Sequence, residues 1–583
     1  MTKIIYKSTG ILAGFVIFAA CGASLAADRA TPAASAPPAS APPALVAMQE
    51  ELDRSFATLS KADPPVYFIS YTVADRQDSE VSGSNGALLS STEDRARWLE
   101  VQTRTGSYQL DDTHSLGDRP PSATSPGTTA SLDDFIPVLR NEIWRETDEQ
   151  YRAASQALIK VKTNQQVQVQ SAESAAPDFS REEPHTSVGT PVEIHVDRKP
   201  WEDRVRKYTA EFSKSPSVLN SIATFTALAA NQYQVNSEGT KLLFGQIHYR
   251  LELDVQTKAP DGMDIDRYSN FDWLDPKDAP DEKTVMASVQ KMIQEAEALD
   301  KAQLVDPYAG PALLTGRASA VFFHEVFGHR AEGFRQKNIN EGQTFSSKVG
   351  EQIMPDFISI KDDPTQASLG GQMLLGYYPF DDEGVPSQSV SLVDHGVLKT
   401  FLMSRSPLVS LPKSNGHGRR QLGYVPVARQ GNLIVSSTKM VTDAQLRQQL
   451  IDLIKQQGKP YGLLIDDIAG GFTFTGRSNP QAFQVLPLVV YKVFPDGRPD
   501  EIVRGVNIVG TPLVSLAKIV ATGNKTEIFN GYCGAESGSV PVSAASPAIL
   551  ISEMEFAKKE TSTDKPPILP PPAHDSGAKG QAQ

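Results

Sequence analysis

The chain has 583 residues, and 40% of them are hydrophobic, which is an ordinary composition for a globular protein. This length exceeds what a single hydrophobic core normally serves, so two or three domains are expected. The formal net charge is −13, from 56 Lys and Arg against 69 Asp and Glu. An acidic balance disfavours sequence-independent binding to nucleic acid, which depends on Lys and Arg meeting phosphates.

Residues 1–27 have the features of a secretory signal peptide. Two lysines precede an apolar run at 11–20, and small residues at 23–27 supply a cleavage site. The apolar run is too short to span a bilayer, and no other stretch has the character of a membrane span. The sequence therefore predicts export to the periplasm. Cys21 has two open fates, removal with the signal peptide or lipidation, because residues 18–21 resemble a degenerate lipobox.

The mature chain is predicted to begin with an Ala/Pro/Ser tether at residues 28–45, which has little to bury and is expected to be disordered or polyproline-like. An N-terminal α/β domain with its linker follows at 46–130. It opens with a helix and contains strands at 66–73 and 97–103. Pro, Ser, Gly and Thr residues at 114–130 indicate the linker or a loop.

A central α+β domain is predicted at residues 131–303. Its first helix is expected to begin at Ser131, whose side chain can cap the first turn. Strands are predicted at 192–196 and 246–255, the latter entered through a turn at 236–239. The apolar residues of the first helix recur at helical spacing and include Phe135, Val138, Leu139 and Ile143. A second, amphipathic helix carries the stripe Val285, Val289, Met292, Ile293, Ala296 and Leu299.

The C-terminal domain is predicted at residues 304–559 and contains many strands and few helices. The predicted strands are 389–393, 396–401, 461–465, 487–494 and 548–554. Residues 560–583, rich in proline, are predicted to form a disordered tail. The expected fold class is α+β, with α/β N-terminal and central segments followed by a β-rich, mostly antiparallel C-terminal domain that carries the helix considered next.

Cysteine is scarce, since the chain contains only Cys21 and Cys533. Cleavage of the signal peptide leaves Cys533 alone, which excludes an intramolecular disulfide in the mature chain. A lone thiol is a liability in an oxidising compartment unless something occupies it. The residues alone leave two interpretations, a buried small hydrophobe and an occupied thiol.

Of the nine histidines, only His324 and His329 lie within about one helical turn of each other, in the sequence His-Glu-Val-Phe-Gly-His. The preceding residues predict an apolar helix, so both imidazoles are expected in a dry wall, where an unpaired imidazole is costly. On a regular α-helix the five-residue spacing separates them by about 140°. Both can therefore reach one ion only if the helix widens or ends between them, a distortion that Gly328 would permit. From the pattern alone, a metal site and a structural helix with a solvated Glu325 both stay open.

Five motifs resemble those of the TldD/PmbA peptidases, and they occur in the same order as in that family. The resemblance covers residues 305–556 and fades to general architecture in the earlier, longer segments. The motifs are GRASAVFFHEVFGHRAEG at 316–333, FDDEGVP at 380–386, SNGHGRR at 414–420, GVNIVGTP at 505–512 and NGYCGAESGSVPV at 530–542.

The resemblance implies a zinc site and a catalytic base. Transferred residue by residue, the metal ligands are His324, His329 and Cys533, and the catalytic residue is Glu325. Three protein ligands leave a fourth position for water, whose pKa zinc lowers. Glu325 would accept the proton of that water and deliver it to the leaving amine. Zinc coordination would also explain why a lone cysteine is retained.

The resemblance further implies hydrolysis of unfolded or peptide-like substrates inside an enclosed dimer, either a homodimer or a heterodimer with a PmbA-like subunit. The alternative is a non-catalytic PmbA-like partner subunit or peptide-binding scaffold. Such partners lack the His-Glu-x-x-x-His residues, all of which are present here. A role with nucleic acid is a third alternative, against which export and the acidic charge both argue.

Further candidate residues have competing structural interpretations. His417 and Arg330 are candidate substrate-binding residues, although a histidine flanked by glycines is often only structural. Arg330 and Glu332 could instead be partners of the metal ligands. The acidic residues 381–383 predict a solvated turn in preference to a second metal site. The alternation at 388–393 suggests a strand to which a peptide could add.

Overall fold

The computed structural model describes residues 41–114, 127–165, 176–337, 341, 344–476, 482–559, 565–569 and 571–574. The predicted signal peptide with Cys21, and the predicted tether up to residue 40, lie outside these residues. Within them, no helix combines the length and apolar character that a membrane span needs. The helices are α1 (Pro43–Leu59), α2 (Ile136–Gln165), α3 (Lys199–Phe212), α4 (Glu282–Lys301), α5 (Gly316–Val326), α6 (Phe334–Lys337), α7 (Asp443–Gln456) and α8 (Pro512–Ala517).

A seven-stranded sheet forms the first half of the molecule, in the order β3-β2-β1-β5-β6-β4, with β7 also paired to β6. Its strands are β1 (Val66–Ser84), β2 (Ala87–Thr105), β3 (Gly127–Thr129), β4 (Thr186–Val188), β5 (Asn220–Asn236), β6 (Lys241–Lys258) and β7 (Asp264–Trp273). The long β1–β2 hairpin turns through Asn85 and Gly86, both with positive φ, as a two-residue turn of this type requires.

The sheet joins the two segments that the sequence separates at residue 130. β1 pairs antiparallel with β5 from Ser70↔Asn236 to Gly83↔Ala223. The strands on both sides of the predicted boundary therefore share one sheet and its hydrophobic core. Part of the predicted linker is also a strand, because β3 pairs with β2.

Several predicted elements have different bounds in the structure. The helix expected at Ser131 begins at Ile136, and the Ser131 hydroxyl accepts only from the amide of Asp133 (3.2 Å). Pro137 explains the later start, since proline fits the first helical turn, where its missing N–H is not needed. Residues 192–196 are not a strand, and the strand of that region is β4. The predicted tether ends earlier than residue 45, because α1 begins at Pro43.

Two predicted features of the central segment are confirmed. Residues 236–239 turn the chain from β5 into β6, through Gly239 with a φ of 107°. The amphipathic helix is α4, and all six residues of its predicted stripe are buried. It packs on β6 and β7 together with aromatic residues such as Trp273.

A thirteen-stranded sheet forms the second half, in the order β14-β13-β10-β17-β24-β9-β19-β20-β21-β8, with β18, β22 and β23 attached to it. Its strands are β8 (Gln303–Leu304), β9 (Tyr308–Leu314), β10 (Ile358–Asp362), β13 (Val390–Asp394), β14 (Val397–Leu398), β17 (Asn432–Ser437), β18 (Met440–Val441), β19 (Gly462–Thr473), β20 (Phe483–Val493), β21 (Glu501–Arg504), β22 (Val506–Gly510), β23 (Ile519–Ala535) and β24 (Gly538–Lys558). Two small hairpins pair β11 (Ser368–Leu369) with β12 (Gln372–Met373), and β15 (Gly418–Arg419) with β16 (Val427–Ala428).

The β-rich, mostly antiparallel character expected of this half is confirmed, since most of its strand pairs are antiparallel. The strand predicted at 396–401 is much shorter and comprises only β14. The predicted tail is ordered where it is described, with a 3-10 turn at Pro572–His574 and a bond from His574 Nε2 to the carbonyl of Ser213 (2.9 Å).

The core of the second half surrounds α5. Every residue of α5 except Arg317 is buried, and the helix packs against β19, β23 and β24. Phe322 and Phe323 are fully buried, and burying a side chain of this size contributes roughly 1.5–3 kcal/mol. The apolar sequence of α5 thus fixes a short helix inside the sheet, and its C-terminal end carries the histidine pair.

A candidate metal centre

The histidine pair lies where an α-helix ends. The Thr315 hydroxyl caps α5 at its start by accepting from the amide of Ala318 (3.4 Å), and α5 ends at Val326. A single 3-10 turn, Gly328–Ala331, then carries His329. Of the two alternatives for a five-residue spacing, the structure has the helix ending between the histidines. The tighter turn brings both imidazoles to one side.

Gly328 is required for space. Its φ is not positive, so the backbone there is open to other residues. A Cβ at this position, however, would lie 1.8 Å from Oε1 of Gln430. The amide of Gln430 also donates to the carbonyl of His324 (3.4 Å), which is left without a helical partner where α5 ends. The glycine therefore allows Gln430 to approach and satisfy the broken end of the helix.

Cys533 meets both histidines. It lies on β23, which forms a hairpin with β24 and pairs Cys533 with Val540. Its Sγ is 3.2 Å from Nε2 of His324 and 3.3 Å from Nε2 of His329. The three donor atoms all lie within 4.8 Å of one another, and all three residues are buried. Among the described residues this is the one group of at least three His, Cys, Asp or Glu that could hold a metal ion.

The charges in this group are mutually dependent. Burial raises the pKa of Cys533, but the imidazoles of His329 and His324 outweigh that effect and place the pKa well below its ordinary value. Burial lowers the pKa of His329, whereas Cys533 and Glu332 raise it well above the ordinary value. The group therefore favours a thiolate facing imidazoles. Thiolate and imidazole together are donors that suit zinc.

Glu325 lies beside the donors without belonging to them. Its Oε2 is 3.9 Å from Nε2 of His329 and has no hydrogen-bond partner in the described part of the chain. Burial raises its pKa, while the charges of His329 and His324 oppose that change. A Cβ on Gly471 of β19 would lie 2.7 Å from Cγ of Glu325, so this glycine gives the carboxylate its space. Oε2 of this buried carboxylate is therefore a free acceptor for a proton.

A cavity of about 280 Å³ opens onto these groups. One wall is the end of β19 at residues 469–473, and the other includes Phe529 and Tyr532 of β23. Arg335 and Glu536 also line it and form a bidentate ion pair with distances of 2.8 and 2.9 Å. The cavity therefore combines a strand backbone, aromatic rings and one charged pair around the donor group.

A buried ionic network holds the donors in place. Glu332 is fully buried and accepts from Nδ1 of His329 (3.2 Å) and from Nε of Arg335 (3.0 Å). Burial raises its pKa, but His329 and Arg335 lower it to about 2. Arg429, also fully buried, lies 3.4 Å from the second oxygen of Glu332 and donates to the carbonyl of Cys533. One network thus orients the His329 ring and fixes the strand that carries Cys533.

The sequence missed most of this network. Glu332 was a candidate partner of the ligands, and its contact with His329 agrees with that role. Arg335 and Arg429 gave no signal of their own, because a single arginine has no characteristic spacing. Arg335 does lie within one helical turn of Glu332, which is the only local hint available.

The two candidate substrate-binding residues do not line the cavity. Arg330 is buried, and its guanidinium donates to the carbonyls of Glu325 (3.1 Å) and Phe474 (3.2 Å) and to Thr473. It therefore joins the end of α5 to the end of β19. Burial lowers its pKa to about 10.

His417 is fully buried, with Nε2 3.3 Å from Asp362 and Nδ1 2.9 Å from the carbonyl of Asn415. Nδ1 has its partner in the same loop and Nε2 has its partner at the end of β10, which favours the structural interpretation.

The prediction of a solvated turn at the acidic residues 381–383 is wrong, because this turn is not solvated. Asp381 is buried and accepts from the amides of Glu383 (3.0 Å), Val385 (2.9 Å) and Gly418 (2.9 Å). Glu383 accepts from the amide of Arg405 (2.6 Å). The carboxylates replace missing backbone acceptors, which explains their burial.

The strand at 388–393 also differs from the prediction, since β13 lies between β10 and β14 and does not line the cavity.

Comparison with known proteins agrees with this geometry. The profile of a domain described as "PmbA/TldA metallopeptidase C-terminal domain" matches residues 308–558. A metalloprotease of Methanothermobacter thermautotrophicus is 26% identical over 488 residues, 80% of this chain and 96% of the relative. A metalloprotease TldD homolog of Haemophilus influenzae is 30% identical over 251 residues, 42% of this chain and 47% of the relative. A zinc metalloprotease TldD homolog of Saccharolobus solfataricus is 26% identical over 281 residues, 48% of this chain and 57% of the relative.

The chain thus spans about half the length of the last two relatives, and nearly all of the first. The solved structure of TldE from Thermococcus kodakarensis matches 88% of this chain and 100% of its own, with a TM-score of 0.56 at 14% identity, and shows the same fold.

The fold is of the α+β class, with a candidate metal group in its β-rich half. Residues 308–558 match the C-terminal domain model of the PmbA/TldD metallopeptidases, and the named relatives support a TldD/PmbA-type protein.

Proposed function

We propose that this chain is an exported, zinc-dependent metallopeptidase that hydrolyses peptide bonds in unfolded or peptide-like substrates. One observation carries the proposal. The donor atoms of His324, His329 and Cys533 converge beside the buried Glu325, whose Oε2 has no hydrogen-bond partner among the described residues, at the wall of a cavity. A purely structural cluster gives no reason for a free carboxylate at that point.

Zinc fits the residues that are present. His324, His329 and Cys533 would hold the ion, and Glu332 fixes the ring of His329 through Nδ1. When bound, zinc supplies a Lewis acid and lowers the pKa of a water in its fourth position. The metalloprotease names of the relatives support this choice.

Glu325 accepts and then returns a proton in the proposed reaction. Its Oε2 has no hydrogen-bond partner among the described residues and lies beside the donor group, so it can both accept and return a proton. Oε2 accepts a proton from the attacking water, and the same oxygen then donates it to the nitrogen of the leaving amine. Gly471 leaves room for this carboxylate against β19, and Arg330 fixes the carbonyl of Glu325.

The cavity suits an extended peptide. Residues 469–473 of β19 line it in extended conformation and pair with β20 on one side. On the other side, β9 pairs only with residues 463–465. A substrate strand could therefore lie along 469–473, with affinity from backbone hydrogen bonds. Unfolded or peptide-like substrates present such a strand readily because their backbone groups are unpaired.

Metal analysis and peptide cleavage test the proposal. The purified mature chain should contain zinc and cleave unstructured peptides. Glu325→Gln should retain its zinc and lose cleavage by about 10²–10⁴-fold, the usual contribution of a general base. Glu183→Gln, an exposed glutamate of the first half, is the matched control and should cleave normally. Unchanged cleavage by Glu325→Gln would end the proposed mechanism, and a zinc-free, fully active chain would end the proposal.

The proposed dimer and location need separate measurements. PmbA-type and TldE-type proteins are among the relatives, which supports a homodimer or a heterodimer with a PmbA-like subunit. Light scattering of the purified chain, alone and mixed with a PmbA-like protein of the same cell, separates the two. Mass spectrometry of the chain recovered from cells would find a start near residue 28 after signal cleavage, or a diacylglyceryl Cys21 if the chain is anchored. An unprocessed start at Met1 contradicts export.

A further inference from the structure

The first sheet has a gap in its outer edge. On the side of β6 away from β5, β4 pairs with Lys241–Leu243 and β7 pairs with residues from Tyr249 onward. Between them, residues 245–248 have no strand partner on that side within the described chain. At about 3.3 Å per residue, the open edge is roughly 13 Å long.

A cavity of about 480 Å³ lies at this gap, and it is larger than the cavity at the metal centre. One side consists of residues 245–248 and the chain that leaves β4 at Gly189 and Thr190. The opposite wall is mostly apolar and belongs to the second half of the molecule. It includes Met373, Leu374, Leu375, Pro379 and Phe380. The gap therefore opens into a slot with a strand edge on one side and apolar side chains on the other.

A buried polar group faces this slot. Gln246 is only 9% exposed and lines the cavity, and its Nε2 has no hydrogen-bond partner in the described structure. The neighbouring His248 is already bound to Asp272, with Nε2 2.8 Å from the carboxylate. An unpaired buried amide costs about 1–3 kcal/mol, so Gln246 favours a ligand that brings an acceptor. A peptide carbonyl is such an acceptor.

The slot is connected to the metal centre through β23. The Asn530 amide, three residues before Cys533, donates to the carbonyl of Met373 (3.0 Å), and the amide of Leu375 donates to Ser543 of β24 (2.6 Å). On the other side, the guanidinium of Arg250 lies 5.2 Å from the ring of Tyr532, which lines the catalytic cavity. The apolar wall of the slot thus contacts the strand that carries a metal ligand, and β6 contacts the same strand through Arg250, beyond the slot lining.

We propose that the slot is a second peptide-binding site, which takes an extended, apolar segment of the substrate as an added strand on residues 245–248 of β6. A row of strand backbone groups between two existing strands fits another strand better than a compact ligand. The apolar wall receives alternate side chains, and Gln246 donates to a backbone carbonyl. The inference rests on the proposed function for the identity of its ligand, since the same substrate would reach both cavities.

A binding experiment tests the slot without relying on cleavage. The probe is a fluorescein-labelled peptide of alternating valine and serine, and its fluorescence anisotropy is the readout. The protein is the full mature chain carrying Glu325→Gln, so that the peptide is not cleaved during the measurement. Thr190→Trp places a large ring at the mouth of the slot, and Thr190 is exposed, so the fold tolerates the change. Thr186→Trp, an exposed position on β4 outside the slot lining, is the matched control.

Thr190→Trp should raise the Kd of the probe about tenfold, equal to about 1.4 kcal/mol, and Thr186→Trp should change it by less than about twofold. A probe with alternate N-methylated amides should also bind about tenfold more weakly, because it cannot complete strand pairing. Equal affinity of the Thr190→Trp and Thr186→Trp proteins overturns the proposal, as does tight binding of the N-methylated probe. If Thr190→Trp converts the protein to a monomer and leaves the Kd of the probe unchanged, the slot binds a second copy of the chain. That result would also overturn the proposal.

Failure of the proposed function gives a different result. If the unsubstituted chain cleaves no peptide but the Thr190→Trp and Thr186→Trp proteins still differ in Kd, the slot stands and the peptidase does not. If the chain cleaves short peptides and these two proteins bind the probe alike, the peptidase stands and the slot does not.

Discussion

Two buried clusters of ionisable side chains in the second half of the molecule differ in how their hydrogen-bonding groups are used. Both the group of His324, His329 and Cys533 and the acidic turn at 381–383 combine several ionisable residues within a short distance. In the acidic turn, Asp381 alone accepts three backbone amides. In the histidine group, the donor atoms point at one another, and Oε2 of the neighbouring Glu325 has no hydrogen-bond partner among the described residues.

This difference shows what distinguishes a candidate site from a structural cluster. Burial is common to both, and it raises the pKa of Asp381 and of Glu325 alike. In the acidic turn the polar atoms complete the hydrogen bonding of the backbone, so they have no capacity for a ligand. In the histidine group the chain leaves that capacity unused. The direction of the donors and acceptors is therefore more informative than the burial or the number of charges.

The largest expected effect is a loss of zinc affinity, which should follow a substitution in the histidine group and not one in the acidic turn. Cys533→Ser removes a thiolate donor, and we expect zinc affinity to fall by more than about 100-fold, beyond the range for outer partners. Competition with a chromophoric chelator measures it. Asp381→Asn is the matched control in the other cluster and should bind zinc as the unsubstituted chain does. Full zinc affinity of Cys533→Ser would remove the cysteine from the ligand set.

The free energy of unfolding should respond to a substitution in the acidic turn, where zinc affinity does not. Asp381→Ala leaves three amides without an acceptor, and each buried unsatisfied group costs about 1–3 kcal/mol. We expect the free energy of unfolding in urea to fall by at least about 2 kcal/mol, while the zinc affinity of the folded protein stays the same. A loss of zinc affinity in the folded variant would mean that the two clusters are coupled.

The sequence was sufficient for local features of the site. The helix of 316–326, the histidine pair and the need for a helix break all followed from apolar spacing and the rotation per residue, and the structure has that break. The role of the distant Cys533 entered only through family resemblance, because no local rule connects residues that lie about two hundred positions apart in the sequence. Gly328 was noticed for the wrong reason, since its role depends on Gln430, more than a hundred residues later.

Larger features of the fold were beyond local patterns. β5 alternates between buried and half-buried residues in its first half, but its second half is buried continuously, because there the sheet is covered on both faces. For the same reason the sheet that joins the first two segments was not foreseen. The acidic turn was assigned to solvent because charged residues are usually exposed, whereas here the backbone of a separate strand, at Gly418, supplies a donor.

An intermediate effect is expected at Glu332, whose carboxylate is hydrogen-bonded and also contacts a candidate metal ligand. Glu332 is hydrogen-bonded like the acidic turn, but its partner is the metal-ligand candidate His329. Glu332→Gln keeps the shape and removes the charge, so we expect zinc affinity to fall by about 10–100-fold, as for other outer partners. Isothermal titration of the metal-free protein measures the change. An affinity equal to that of the unsubstituted chain would show that the ring of His329 needs no charged partner.

The smallest effect concerns burial of a carboxylate away from both clusters. Burial of Asp254 on β6, together with the charges of Glu252 and Asp266, raises its pKa from 3.8 to about 7. In the unfolded chain this group ionises near its ordinary value, so between about pH 4 and pH 7 the folded state binds the extra proton and stability falls as pH rises. Asp254→Asn cannot ionise. Its free energy of unfolding relative to the unsubstituted chain should therefore increase by on the order of 1 kcal/mol from pH 5 to pH 8. Urea titrations at both pH values, with the exposed Asp94→Asn as control, measure this difference, and a pH-independent difference would show that burial alone does not govern this carboxylate.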